Sequence, residues 1–354
     1  MKKTLTNKRC FICSIVPNNL VKILRASQAS NNFCNSLINN IEFNKILSIW
    51  PPTYKIDKNI NLNENIYYII NKGKNPISNI FYYFICNFQI AYKARLFEKI
   101  WYYNLCKTNL LSYIILKFFL YKKIYIILAD HTPGKKFSLQ YFIEWMIKNS
   151  TGIINLSARS MIKNKHQKTI AGIMPICKIS NLITSTIKYK FLFSGTLSKV
   201  TGFEMALAVF KDLPNLELYI TGLGTIPKEY EQYSNIHFLG MLDYNEYINI
   251  LNSIDFCLNF RNPYLLENNN NFPSKVLEYF SNNKIVISTI DYPELKDFKY
   301  FKCTYNKNDI LQTIHNIINM PKNDLQNYKD NRQALINNFS EKKWEENITY
   351  IEKF

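Results

Sequence analysis

Long uncharged apolar runs, acidic residues and organised cysteines are what this 354-residue chain has little of. The stretch nearest to a membrane span, Leu110 to Leu128, is interrupted by Lys117, Lys122 and Lys123. A spanning helix needs about 20 mostly uncharged residues, so this stretch reads as a helix followed by a buried strand. Met1 to Arg9 is basic, yet the apolar run Cys10 to Val16 is short and ends at Pro17-Asn18-Asn19 without a small-residue cleavage site. That excludes a secretory signal pattern. Only Cys10 and Cys13 of the eight cysteines form a CxxC, and it lies inside the strand-like CFICSIV. A redox CxxC belongs at a helix start and a zinc site needs a second ligand pair, so reduced, buried thiols in a cytoplasmic compartment are expected. His166, His237 and His315 show no ligand spacing, and no metal is expected. Arg-Gly repeats, zinc-finger spacing and an RNP-type aromatic motif are also missing, which argues against nucleic acid as a partner.

What is there is a basic, aromatic, well-folded composition. Lys and Arg number 44 against 26 Asp and Glu, a net charge of +18, and 47% of the residues are hydrophobic. Such a chain buries enough apolar surface to offset its entropy, and its length suits two cores. The remaining partners for the charge are phosphorylated small molecules and an anionic membrane surface. Lys117, Phe118, Phe119, Tyr121 and Lys122 mix charge with amphipathic rings, and peripheral attachment to the inner face of a cell membrane is expected there.

Short apolar runs alternate with longer helical patterns, which predicts α/β layers with parallel sheets. CFICSIV, KILSIW, NIYYIIN, KIYIILAD and TGIINLS read as strands of the first half, with helices over Ser27 to Asn40 and Asn79 to Trp101. In the second half KFLFSG, LELYITG, NIHFLG, FCLNF and KIVIST read as strands, and Phe203, Ala206, Leu207 and Phe210 share one helical face. The expected architecture is two Rossmann-like domains, 1–182 and 183–338, facing a cleft, with a terminal helix over 339–354.

One stretch carries chemistry on physical grounds. Pro273 suits the first position of a helix, and the N–H groups there form an anion site that Ser274 and Lys275 extend with a hydroxyl and an ammonium. Glu278 follows one turn later on the same face, an acceptor-only carboxylate suited to a ribose diol. The bland alternative is a surface Lys–Glu pair at i,i+3. Gly195 ends a strand where backbone can approach a ligand closely. Arg261 follows FCLNF, where a side chain projects into the expected cleft.

The ordered set LFSGTLSKVTGFEMAL, LPNLELYITGLG, NIHFLGMLDYNEY, DFCLNFRNPY and NNFPSKVLEYFSNNKIVIST resembles the C-terminal domain of GT-B glycosyltransferases of the large retaining family 4. FSEKKW resembles the start of that family's last helix, which often crosses back to the N-terminal domain. The resemblance implies donor contacts from Gly195, Thr196, Lys199, Gly222, Gly224, Arg261, Ser274, Lys275 and Glu278, with Glu278 on the ribose. It places a His or Asp beside the donor sugar, which here falls on Asp130 and His131 of ADHTPG. It implies a nucleotide-sugar donor, a glycan or lipid-linked hydroxyl acceptor in cell-surface polysaccharide synthesis, retention of configuration and no cofactor. Two positions depart from the pattern. Thr196 stands where many members have Arg, and Asn271, seven residues before Glu278, stands for the family's earlier Glu. Two other readings are a catalytically silent transferase-like subunit and a GT-B sugar-nucleotide epimerase.

Overall fold

A computed structural model of the chain describes residues 8–21, 23–54, 65–129, 134–180, 187–268 and 271–354. The chain divides into two compact units: Met1–Ile173 with Glu341–Phe354, and Met174–Ser340. These limits differ from 182 and 338, the breaks expected from the strand pattern. The residues just after 173, including the short 3₁₀ turn Ile176–Lys178, carry no periodic signal that marks the boundary.

The first unit holds a seven-stranded parallel sheet. Its strands are β1 (Arg9–Cys13), β2 (Lys45–Ile49), β3 (Ile66–Ile69), β4 (Lys99–Tyr103), β5 (Lys123–Leu128), β6 (Gly152–Asn155) and β7 (Gln167–Thr169). They lie in the order β3-β2-β1-β4-β5-β6-β7. The inner strands are buried on both faces, which is why they read as continuous apolar runs, whereas β7 at the edge has no buried residue. Cys10 and Ile12 of β1 face a core that also takes Leu47, Ile49, Tyr102 and Ile126, and helices Pro76–Ala94, Leu110–Ile114 and Leu139–Lys148 close it. The helix Pro76–Ala94 starts at a capping box between Asn75 and Ser78 with Pro76 in its first turn. It ends at Ala94, and Lys99–Tyr103 is a strand, so the helix expected over Asn79 to Trp101 is two elements. The break at Arg95-Leu96-Phe97 contains neither Gly nor Pro, the residues that would punctuate it in the sequence.

The second unit holds six parallel strands: β8 (Lys190–Ser194), β9 (Glu217–Thr221), β10 (Ile236–Phe238), β11 (Phe256–Asn259), β12 (Ile285–Ser288) and β13 (Phe301–Lys302), in the order β10-β9-β8-β11-β12-β13. This is the doubly wound order in which the connections reverse direction between β8 and β11, and the crevice beyond the carboxyl ends of those two strands is the natural ligand site. Phe191, Phe210, Phe256 and Leu258 pack the core beneath it. The terminal helix Glu341–Ile351 belongs to the first unit: the Trp344 indole donates to the carbonyl of Gly172 at 2.7 Å. Among the described residues no helix is long and apolar enough to cross a membrane. All eight cysteines are free, and Cys10 and Cys13 are buried in β1.

Candidate functional site

At the reversal point of the second sheet the backbone is held open. Gly195 follows β8 with φ 153°, and a Cβ there would meet none of the described residues within 4 Å. The adjacent strand end crosses close by: a Cβ on Gly222 would strike the carbonyl of Gly195. Gly222 N–H donates to the carbonyl of Gly240 at 2.9 Å, and Gly195 N–H to that of Thr221 at 3.0 Å. Three strand ends are thus sewn together while no described residue fills the space in front of Gly195. The loop beyond Gly195 is fixed by Thr201, whose hydroxyl donates to the Thr196 carbonyl at 2.6 Å. It exposes the side chains of Thr196 and Lys199. The Lys199 carbonyl accepts from the Gly202 N–H at 3.3 Å, and its ammonium has no partner among the described residues.

On the far side of the reversal point stands Arg261. Its guanidinium donates to Asn268 Oδ1 at 2.9 Å, while Asn268, fully buried, donates from Nδ2 to the Val200 carbonyl at 2.9 Å. Asn268 therefore couples Arg261 to the turn that carries Lys199. Gly202 completes the junction: it has φ 78°, and a Cβ there would collide with the Phe260 carbonyl. Sequence reasoning overlooked both Gly202 and Asn268. The T-G pair opening a helical pattern was the available signal for Gly202; Asn268, in an Asn-rich loop, offered none.

Helix Ser274–Ser281 supplies the third wall. Pro273 is its N-cap with φ −74° and ψ 102°, one position earlier than expected from the sequence. The consequence is chemical, since a proline ring cannot accept a hydrogen bond and, among the described residues, no side chain caps this helix. The N–H groups of the first turn carry no side-chain cap there and Ser274 is exposed, the local chemistry that suits an anion. The helix is tied to the open glycine by Tyr279, a buried residue whose hydroxyl hydrogen-bonds Ser194. Burial first, then the neighbouring Cys257 and Glu278, push that phenol well above its ordinary range.

Lys275 and Glu278 meet: Nζ lies 2.8 Å from Oε2, with the side chains 42% and 25% exposed. The pair is more than a surface contact, because Tyr247 lies beneath it. The Tyr247 hydroxyl donates to the same Oε2 at 3.1 Å, and the Lys275 ammonium sits 3.9 Å from the Tyr247 ring centre. Tyr247 comes from helix Tyr244–Ser253, whose start is fixed by a capping box between Asp243 and Glu246. Burial first, then Tyr279 and Glu278, raise the Tyr247 phenol, so it remains a donor at neutral pH. Glu278 Oε1 has no partner among the described residues. Tyr247 escaped sequence reasoning because DYNEY reads as a plain helix start.

Gly224, with φ 140°, is held by a close approach to Leu197 and lies at the exposed end of the same loop. Asp130 and His131 lie outside the described residues. Asn271 is described and half-buried; Asn270, the position with seven residues between it and Glu278, lies outside them. Both are amides, so neither position carries a carboxylate. Among the described residues, no group of three or more His, Cys, Asp or Glu side chains is placed to hold a metal ion.

Comparison with solved structures places this architecture. HepE of Anabaena, solved in complex with UDP-glucose, superposes with a TM-score of 0.69 at 10% identity, covering 98% of this chain and 100% of that one. A glycosyltransferase from Rickettsia africae gives 0.67 at 14% identity, with 98% of both chains covered. Sucrose-phosphate synthase from Thermosynechococcus elongatus gives 0.68 at 11%, again over 98% of both. The fold is the GT-B fold. No protein-family model matches the chain, and no curated protein matches it. At these identities the likeness is one of fold, and the site must speak for its own chemistry.

Proposed function

We propose that this protein is a glycosyltransferase that moves a sugar from a nucleoside diphosphate donor to a hydroxyl acceptor. The observation that carries the reading is the crevice in front of Gly195. It brings an open glycine, an uncapped helix N-terminus, Lys275, Arg261 and a half-engaged carboxylate to the carboxyl ends of β8 and β11. A diphosphate suits the helix N-terminus, Ser274 and Lys275, with Arg261 and Lys199 on its flank. Ribose hydroxyls suit Oε1 of Glu278. That HepE, with the same fold, was solved with UDP-glucose supports a nucleotide-sugar donor.

The reaction follows from the charges. The anomeric carbon–oxygen bond to the diphosphate breaks through an oxocarbenium-like state, and negative charge grows on the departing phosphate. Preorganised cations and N–H dipoles stabilise that charge without reorganising. Attack by the acceptor hydroxyl on the same face forms the new glycosidic bond with retention, and the hydroxyl proton passes to a leaving phosphate oxygen. This course needs no second carboxylate, which agrees with amides at 270 and 271. Cell-surface polysaccharide synthesis in the cytoplasm, with a glycan or lipid-linked acceptor, belongs to the same proposal.

Incubation of the purified chain with UDP-, GDP-, CDP- and dTDP-sugars tests it. Release of nucleotide from at least one donor, accelerated by a hydroxyl acceptor, is expected. Saturable binding with no release would favour the silent-subunit reading. Interconversion of sugar nucleotides without transfer would favour an epimerase.

A further inference from the structure

The first unit carries a second surface that sugar transfer does not account for. Helices Pro76–Ala94, Leu110–Ile114 with its extension Ile115–Phe119, and Leu139–Lys148 pack side by side on one face of the sheet. Buried polar contacts fix their spacing: Asn87 Oδ1 accepts from Ser112 N–H at 2.9 Å, and the Tyr113 hydroxyl donates to the Met146 carbonyl at 2.9 Å. Their inner faces fill the core with Ile90, Leu116 and Ile147, all fully buried. Their outer faces ought then to be polar.

They are not. Ile77, Phe81, Phe84, Phe88 and Tyr92 recur at helical spacing along the outer side of the first helix, and all are exposed, Phe81 by 63%. Phe119 (71%) and Tyr121 continue the layer at the end of the second helix, and Phe142 and Trp145 on the third. Scattered exposed apolar residues are ordinary; a layer of them across three adjoining helices marks an interaction surface. The charge is as one-sided as the apolarity. The three helices hold a single carboxylate, Glu144, which is buried and accepts from the Gly134 N–H. On these helices and in the turns beside them lie Lys93, Arg95, Lys122, Lys135, Lys136 and Lys148, with the Arg95 guanidinium 3.7 Å from the Tyr92 ring centre.

We infer that this three-helix face docks onto an anionic lipid bilayer, with the rings entering the interface and the Lys and Arg heads meeting lipid phosphates. The charge selects this occupant. A second copy would lay the same patch against itself, bringing ammonium groups together with no exposed carboxylate on the helices to pair them. An anionic bilayer offers apolar depth and negative charge over a broad plane, which matches a mixed basic and aromatic face. The inference stands apart from the proposed transfer reaction, since every residue in it lies in the first unit.

Flotation of the full chain with phosphatidylcholine vesicles, alone or with roughly 30% phosphatidylglycerol, tests it. Binding to the anionic vesicles, weakened by salt, is expected, together with a blue shift of tryptophan fluorescence. The triple variant F81S/F84S/F88S should lose at least about tenfold in vesicle partition while its melting temperature and nucleotide binding stay at wild-type values. K135E/K136E should weaken binding to anionic vesicles alone. Equal binding to neutral vesicles, no binding to either, or a triple variant that floats like wild type would overturn the inference. So would concentration-dependent dimerisation in sedimentation that the triple variant abolishes, since the face would then belong to a second copy.

Discussion

Glu278 is the residue on which the site turns, and Tyr247 is the reason it is in place. An isolated Lys–Glu pair at i,i+3 contributes about 0.3–0.5 kcal/mol and would swing freely in water. Here the phenol of Tyr247 holds Oε2 from below while its ring supports the Lys275 ammonium, so both charges are set before a ligand arrives. Tyr247→Phe keeps the ring and removes the donor. The account expects weaker donor affinity by about 1.5–3 kcal/mol, the worth of a hydrogen bond to a charged group, with the fold intact. Titration calorimetry with a nucleotide-sugar checks it; wild-type affinity in the variant would mean that Tyr247 is packing alone. Lys275→Ala should lower turnover more than donor affinity, because leaving-group charge grows toward the transition state.

Among the elements, the terminal helix Glu341–Ile351 and the residues just after it show how one carboxylate secures a chain end. Glu352, its side chain 3% exposed, accepts from Arg9 Nε at 2.8 Å, Lys99 Nζ at 3.2 Å and Trp101 Nε1 at 2.8 Å. Those three donors lie on β1 and β4, the central strands of the first sheet. Removing the acceptor strands buried donors, so Glu352→Ala should cost about 3–5 kcal/mol in stability. Glu346→Ala, in an exposed pair with Lys343, should change it by less than about 1 kcal/mol. Denaturant unfolding of both variants makes the comparison, and equal losses would contradict it. The elements also show what the sequence could reveal. Ten of the strands stood out as apolar runs, since parallel strands buried on both faces leave that mark. β4 was concealed because KIWYY continues the aromatic content of the helix before it, and β7 and β13 are too short to show a pattern. The wall formed by helix Ser274–Ser281 was readable from its local chemistry. Tyr247 and Asn268 were not, because their roles arise only from contacts 31 and 68 residues away in sequence.

Across the whole molecule, buried acids that stay neutral set the response to pH. Burial raises the Cys13 thiol from 9.0 to about 12, and it also raises Cys10, Cys257 and the phenols of Tyr102, Tyr125 and Tyr279. For each group the folded value exceeds the unfolded one. The stability they contribute is therefore complete below the unfolded values, about 9 for thiols and 10 for phenols, and is lost as pH rises toward the folded ones. The melting temperature should fall steadily from about pH 9 upward, and a flat profile to pH 11 would contradict this burial.

The central claim is that the crevice before Gly195 binds a nucleoside diphosphate sugar through Glu278, Lys275 and Arg261. The most direct measurement is calorimetric affinity for a panel of nucleotide-sugars, with wild type beside Glu278→Ala and Arg261→Ala. The account predicts saturable binding of at least one donor, weakened at least about tenfold in each variant, with melting temperatures within a few degrees of wild type. Absence of binding across the panel, or variants that bind as tightly as wild type, would contradict it.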